Sequence, residues 1–135
     1  MKVNGACHCG NLKFEAEIDP GKVSICHCTD CQVMGGSAFR TGVPVEDGTF
    51  RIISGEPKIY TKTTAESGAK RLQAFCPECG TAIYTTTRLE EPRPYRVRVG
   101  VLEQRDQLPP RHQFWQRSAH SWLKDIGTIP SAAKQ

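Results

Sequence analysis

The chain has 135 residues, a hydrophobic fraction of 38%, and a formal net charge of +4. That length fits one domain able to bury its own core, and no apolar run approaches the roughly 18 residues that a membrane-spanning helix needs. Seven cysteines, an odd number with no apolar leader before Cys7, argue against a secreted disulfide framework and for a reduced, cytoplasmic setting.

In chain order, Cys7 and Cys9 precede the turn Gly10-Asn11, and residues 12–18 then alternate apolar and polar positions as a half-buried strand does. A hairpin with both cysteines near its bend is predicted. The turn Asp19-Pro20-Gly21-Lys22 leads to a short strand over 23–25 that runs into Cys26-His27-Cys28-Thr29-Asp30-Cys31. Residues 29–34 can form a turn or two of helix, capped by Thr29 or Asp30 and stopped by Gly35-Gly36, with the helix dipole facing the thiols. Further strands are predicted over 37–44, 49–54, 58–63 and 70–75. The last delivers Cys76-Pro77-Glu78-Cys79-Gly80, a metal-binding knuckle in which Gly allows the left-handed bend. Residues 81–87 are rich in β-branched side chains and read as a strand leaving the knuckle. Residues 95–101 alternate strictly and put Arg96 and Arg98 on one face, which in the plainest reading is merely solvated. A final strand over 111–116 and a short turn or helix over 118–124 complete a mainly β single domain spanning 1–135, with a loose tail at 127–135.

Three thiols within six residues repel one another and oxidise readily unless a cation, most often zinc, neutralises them. The cysteines fall as CxC at 7 and 9, CxCxxC at 26, 28 and 31, and CxxC at 76 and 79. Two-Cys units from separate hairpins usually combine into one closed four-Cys site, which assigns Cys7, Cys9, Cys76 and Cys79 together and leaves Cys26, Cys28 and Cys31 as a three-thiolate site. The fourth corner of that trio is open to a histidine, a water or a substrate thiol. His27 is nearest, but residues adjacent on a tight backbone rarely reach the same ion, so an open or solvent-filled position is favoured. His8 and His27 read as supporting or surface groups, and His112 and His120 as satisfied histidines rather than acid–base catalysts. Phe39, Trp115 and Trp122 are candidates for core or pocket wall.

Gly5-Ala6-Cys7-His8-Cys9-Gly10-Asn11-Leu12-Lys13-Phe14, then Cys26-His27-Cys28-Thr29-Asp30-Cys31-Gln32 with Gly36-Ser37-Ala38-Phe39, and then Phe75-Cys76-Pro77-Glu78-Cys79-Gly80-Thr81 form three motifs. Together they resemble the motifs of the glutathione-dependent formaldehyde-activating enzyme (GFA) family, over roughly residues 3–123. Gly100-Val101-Leu102 is a weaker echo, with Glu103 where the family more commonly has Asp. The resemblance implies a zinc-stapled, Mss4-like β fold of several small antiparallel sheets with one or two short helices. It also implies a structural zinc on Cys7, Cys9, Cys76 and Cys79 and a catalytic zinc on Cys26, Cys28 and Cys31. The activity it implies is addition of the glutathione thiol to formaldehyde, giving S-(hydroxymethyl)glutathione, a carbon–sulfur lyase reaction written in reverse.

Glutathione carries two carboxylates, so its cradle should contain cations; Arg40, Lys62, Arg71, Arg96 and Arg98 are the candidates. Nucleic acid is not an expected partner. Basic residues are interspersed with acids, and seven ionised thiols around two divalent ions would lower the formal charge from +4 to +1. The alternatives to an enzyme are a non-catalytic zinc-binding interaction module and a thiol redox or metal-buffering protein.

Overall fold

A computed structural model describes residues 1–134 and shows the mainly β architecture that the sequence implies, with two sheets and one α-helix among the described residues. Strands β1 (Lys2–Ala6) and β2 (Lys13–Glu17) form the predicted antiparallel hairpin, and β5 (Arg51–Ser54) joins β2 to complete a three-stranded sheet. The second sheet has seven strands. From one edge to the other they are β10 (His112–Phe114), β3 (Ser24–Cys26), β4 (Arg40–Pro44), β9 (Arg96–Arg98), β8 (Ala82–Thr86), β7 (Arg71–Phe75) and β6 (Lys58–Lys62). Every neighbouring pair is antiparallel except β10 with β3, which makes this larger sheet mixed.

The period-2 alternation of the strands divides the large sheet into two chemically different faces. On one face Val43, Leu72, Ala74, Ile83, Tyr84 and Val97 are buried and join Val3, Leu12 and Phe14 of the small sheet in a single core. Full burial of each such aliphatic side chain contributes about 1.5–3 kcal/mol. Phe50 lies at the centre of an aromatic group, with ring centroids 4.1 Å from Tyr95, 5.1 Å from Tyr84 and 5.3 Å from Phe14, and so joins residues of both sheets. The opposite face presents Arg40, Gly42, Gln73, Thr85, Arg96 and Arg98, and it forms the floor of the cavity described below.

Several local features differ from the sequence reading: the strand expected over 37–44 begins only at Arg40, and the one expected over 111–116 is confined to His112–Phe114. The strand expected over 95–101 ends at Arg98, because residues Val99–Val101 form a 3-10 turn in which Leu102 N–H donates to Val99 O at 3.0 Å. The turn carries Leu102 into the core, where it is fully buried and bridges to Gly5 of the small sheet. The helix α1 (Thr29–Gly35) ends at Gly36 in the left-handed region, as expected, but its N-cap is Cys28 rather than Thr29 or Asp30. The Cys28 sulfur accepts from Cys31 N–H at 3.4 Å, so a prospective metal ligand also serves as the cap.

After β10 the chain makes 3-10 segments at Gln116–Ser118 and Ser121–Thr128. Of the tail at 127–135, Gln135 lies outside the described residues. Among the described residues no helix is long and apolar enough to cross a membrane.

Candidate metal centres and adjoining cavity

The fold brings the seven cysteines together as four and three. The ligand atoms of Cys7, Cys9, Cys76 and Cys79 all lie within 4.8 Å of one another, and those of Cys26, Cys28 and Cys31 do the same. Zinc–sulfur bonds of about 2.3 Å in a tetrahedron require sulfurs about 3.8 Å apart. The measured separations are 3.5 Å for Cys7 to Cys9 and 3.8 Å for Cys9 to Cys76, so the quartet fits that ion.

Two turns of the same design build the quartet. In the first, Cys7 N–H donates to Leu12 O and Gly10 N–H to Cys7 O, both at 2.9 Å; in the second, Cys76 N–H donates to Thr81 O and Gly80 N–H to Cys76 O, again at 2.9 Å. Gly10 and Gly80 have φ of 76° and 73°, a conformation that favours glycine. One turn is the tip of the small-sheet hairpin and the other joins β7 to β8, so an ion held here would tie the two sheets together. Neutral donors surround the sulfurs: Leu12 N–H reaches Cys7 Sγ at 3.2 Å, and the Thr81 hydroxyl lies 3.1 Å from Cys79 Sγ. The Thr81 bond is the main cause holding the Cys79 thiol down to about 5.

The trio is assembled differently. Cys26 ends β3, Cys28 caps α1, and Cys31 lies in the first turn of that helix. Gln32 fixes the helix by donating through Nε2 to His27 O at 2.8 Å and to Ser118 O at 3.0 Å, which also holds the C-terminal segment against it. A hydrogen bond from Cys31 brings the Cys26 thiol down to about 5, and the same bond, with burial, pushes Cys31 up. Three sulfurs this close cannot all ionise unaided, which is the situation a bound cation relieves. Among the described residues no fourth Cys, His, Asp or Glu joins the trio. His27 is buried with Nε2 bonded to Gln113 Oε1 at 2.8 Å, and Asp30 is held by Lys62 at 2.6 Å and Thr64 at 2.8 Å.

The trio opens into a cavity of about 620 Å³. All five predicted cations, Arg40, Lys62, Arg71, Arg96 and Arg98, line it. Strand register explains the convergence: Cys26 pairs with Arg40, Gly42 pairs with both Ser24 and Arg98, and Thr85 pairs with both Gln73 and Arg96. Gln73 Oε1 accepts from Arg40 Nη1 and Nη2 at 3.3 Å and from Arg98 Nη2 at 3.0 Å. Arg96 Nη2 donates to Gly42 O at 3.0 Å and to the Ser24 hydroxyl. Among the described residues none of these three arginines is within salt-bridge distance of a carboxylate, and the buried Arg98 Nε has no acceptor. Burial lowers the pKa of all three, and burial together with the charge of Arg40 brings Arg98 down to about 9.

Trp115 and Phe114 form part of the cavity wall, whereas Phe39 packs against His27 with centroids 5.8 Å apart and the exposed Trp122 stacks on His120 at 5.6 Å. His8 and His112 are exposed. Sequence reasoning missed Gln73 and Ser24, the neutral acceptors that hold the arginines, and the ion pairs at the rim, Lys62 with Asp30 and Arg117 with Glu66 at 2.7 Å. In the sequence Gln73 is only the second polar position of the alternating run Arg71-Leu72-Gln73-Ala74, which does not set it apart.

A family model described as glutathione-dependent formaldehyde-activating enzyme matches residues 2–118. An uncharacterized lyase of Schizosaccharomyces pombe is 30% identical over 80 residues, which make up 59% of this chain and 54% of that protein. This chain therefore spans about half the length of the curated relative it matches. A crystal structure of a Rhodobacter sphaeroides protein shares the fold, with a TM-score of 0.60 and 23% identity, covering 82% of this chain and 98% of that one.

Proposed function

This chain belongs to the glutathione-dependent formaldehyde-activating enzyme family, and on that premise we propose that it is a zinc-dependent enzyme of the carbon–sulfur lyase type, joining a small thiol such as glutathione to formaldehyde. Cys7, Cys9, Cys76 and Cys79 hold a structural zinc, and Cys26, Cys28 and Cys31 hold a reactive one. Three convergent sulfurs without a fourth protein ligand among the described residues, opening into an arginine-lined cavity, support a guest thiol in the fourth corner. The name of the Schizosaccharomyces pombe relative, a lyase, supports the reaction type. None of the seven cysteines is paired in a disulfide, and sulfur kept for metal binding supports work in a reducing compartment such as the cytoplasm.

Zinc bound to Cys26, Cys28 and Cys31 would supply acidity to an arriving thiol and a fixed place for its sulfur. The protein's own residues do the rest. Arg71, which also lines the cavity, meets a peptide carboxylate, while Lys62 and Arg117, already paired to Asp30 and Glu66, add a weaker attraction. Arg40, Arg96 and Arg98 face the sulfurs and offset the negative charge that grows as the thiol sulfur attacks the carbonyl carbon and its oxygen becomes an alkoxide. Trp115 and Phe114 narrow the mouth on the side of the C-terminal segment, limiting competing attack by water.

A metal count combined with Cys26→Ser tests the assignment. The variant is expected to fall from about two zinc ions per chain to about one, to keep its far-UV circular dichroism, and to consume aldehyde at only the spontaneous rate with glutathione present. Full activity in Cys26→Ser would rule out the role given to the trio.

A further inference from the structure

Three arginines crowd the sulfur trio, and among the described residues none of them meets a carboxylate. Arg40 is directly opposite Cys26 on the neighbouring strand, and Arg98 is opposite Gly42, which is itself opposite Ser24. Apart from the Cys31 sulfur, which Arg40 also meets, their acceptors are Gln73 Oε1, Ser24 Oγ and Gly42 O, all neutral. Arg40 is 7% exposed and Arg98 Nε is buried without an acceptor, so this charge is held away from water at a cost that hydrogen bonds to neutral groups only partly offset. The two carboxylates lining the cavity, Asp30 and Glu66, are already bound to Lys62 and Arg117 at the rim.

Charge counting shows what is missing. Three thiolates around a divalent zinc carry one net negative charge, and a guest thiolate adds a second, still one short of the three guanidiniums. The carboxylates of glutathione lie at the far ends of its two arms, several bonds from sulfur, so neither is attached to the reacting carbon. An anion attached to the attacked carbon would sit where the arginines converge, and formaldehyde has none.

We propose that the electrophile of this site carries a carboxylate directly on its carbonyl carbon, making the substrate class the 2-oxo acids, with glyoxylate the smallest. The inference rests on the thiol–aldehyde reading above and puts a 2-oxo acid in the place of formaldehyde as the second substrate. The thiol sulfur forms a bond to the carbonyl carbon, the carbonyl π electrons move to oxygen, and that oxygen takes up the proton released by the thiol. The product is a 2-hydroxy-2-thio acid, and the reverse reaction breaks the same carbon–sulfur bond. No oxidant or reductant is needed. Arg40, Arg96 and Arg98 bind the carboxylate by charge-assisted hydrogen bonds and hold the carbonyl carbon beside the sulfur.

The test compares acceleration over the spontaneous addition of glutathione to glyoxylate, to its neutral amide glyoxylamide and to formaldehyde, using zinc-loaded full-length protein. Acceleration is expected to be at least about tenfold greater for glyoxylate than for either neutral aldehyde, and in Arg98→Met that ratio should fall towards unity. Fluorescence of Trp115, in the cavity wall, provides a readout independent of turnover: glyoxylate should change it saturably and glyoxylamide should not. If Arg98→Met fails to fold, the wild-type ratio and the titration still decide. Acceleration with formaldehyde but no preference for glyoxylate overturns this inference and leaves the thiol–aldehyde reading standing. Acceleration with none of the three aldehydes overturns both.

Discussion

The quartet at the junction of the two sheets and the trio at the head of the helix are both made of sulfur, yet their surroundings differ in kind. Around the quartet lie neutral donors, Leu12 N–H and the Thr81 hydroxyl, and two glycine-closed turns that bring all four corners from the protein itself. Around the trio lie guanidinium groups, an open cavity and no fourth ligand among the described residues. A closed shell leaves an ion nothing to do except hold the chain, whereas an open shell facing unbalanced positive charge recruits an anionic guest. The sharpest way to break this comparison is to delete one sulfur from each site. Cys76→Ala should lose both zinc ions and most far-UV circular dichroism, because structural zinc contributes on the order of 10 kcal/mol to folding in small domains. Cys28→Ala should keep the quartet's zinc and a cooperative melt. Equal unfolding by the two variants would erase the distinction between the sites.

The next effect in size probes how the arginines are held. Gln73 is 7% exposed, and its single Oε1 receives N–H groups from both Arg40 and Arg98. Gln73→Leu keeps the volume but leaves two guanidiniums facing each other without that acceptor. The expected loss is about 2–4 kcal/mol, read by urea unfolding. Because the missing partner is an acceptor, an added anion should restore part of it: sulfate should raise the midpoint of Gln73→Leu more than that of the wild type. An equal sulfate effect on both would mean that the arginines are satisfied elsewhere.

How much of this was legible in the sequence depends on the range of the interaction. The hairpin carrying Cys7 and Cys9, the knuckle at Cys76 and Cys79 and the helix stop at Gly36 are local devices, each written in a few neighbouring residues, and the structure has them. The five candidate cations were named as a set from the two carboxylates expected of glutathione, and one cavity is lined by all five. The purpose of the Arg96 and Arg98 face was not legible. Alternation shows that two side chains share a face, but what that face meets is set by the register of β4 and β8 against β9, contacts between residues distant in sequence. Two further local expectations met a competing interaction. The strand after Arg98 gives way to a turn that buries Leu102, and Cys28 takes the cap position because its sulfur already faces the Cys31 N–H.

That dependence on register can be tested at Gly42, which lies opposite Arg98 and beneath Arg96. A Cβ there would lie 3.2 Å from Arg96 Nε and 3.2 Å from Val97 O, closer than ordinary contact. Gly42→Ala should therefore displace the Arg96 guanidinium from Ser24 and Gly42 O while costing only about 1 kcal/mol of stability. Its signature would be a raised KM for the electrophile with an almost unchanged KM for the thiol. If both constants rise together, Arg96 acts on the cavity as a whole and not on its floor.

The smallest effect lies at the rim and has the opposite sign. Asp30 is held below the usual carboxylate range first by its hydrogen bond from Lys62 and then by the Thr64 hydroxyl, so at neutral pH it is ionised and neutralises Lys62, which lines the cavity. The Lys62 side chain is 13% exposed and that of Asp30 33%, a partly screened pair worth at most about 1 kcal/mol to the fold. Asp30→Asn removes the charge but keeps an oxygen that can still accept from Lys62, so the lysine stays in place with its charge unmatched. An anionic thiol should then bind about two- to fivefold more tightly, and the gain should shrink as ionic strength rises. Cysteamine, a thiol without a carboxylate, should bind no better to the variant than to the wild type. A gain shared equally by both thiols would point to a change in the trio, one residue away at Cys31, and would remove Lys62 from the set of cations that meet the substrate.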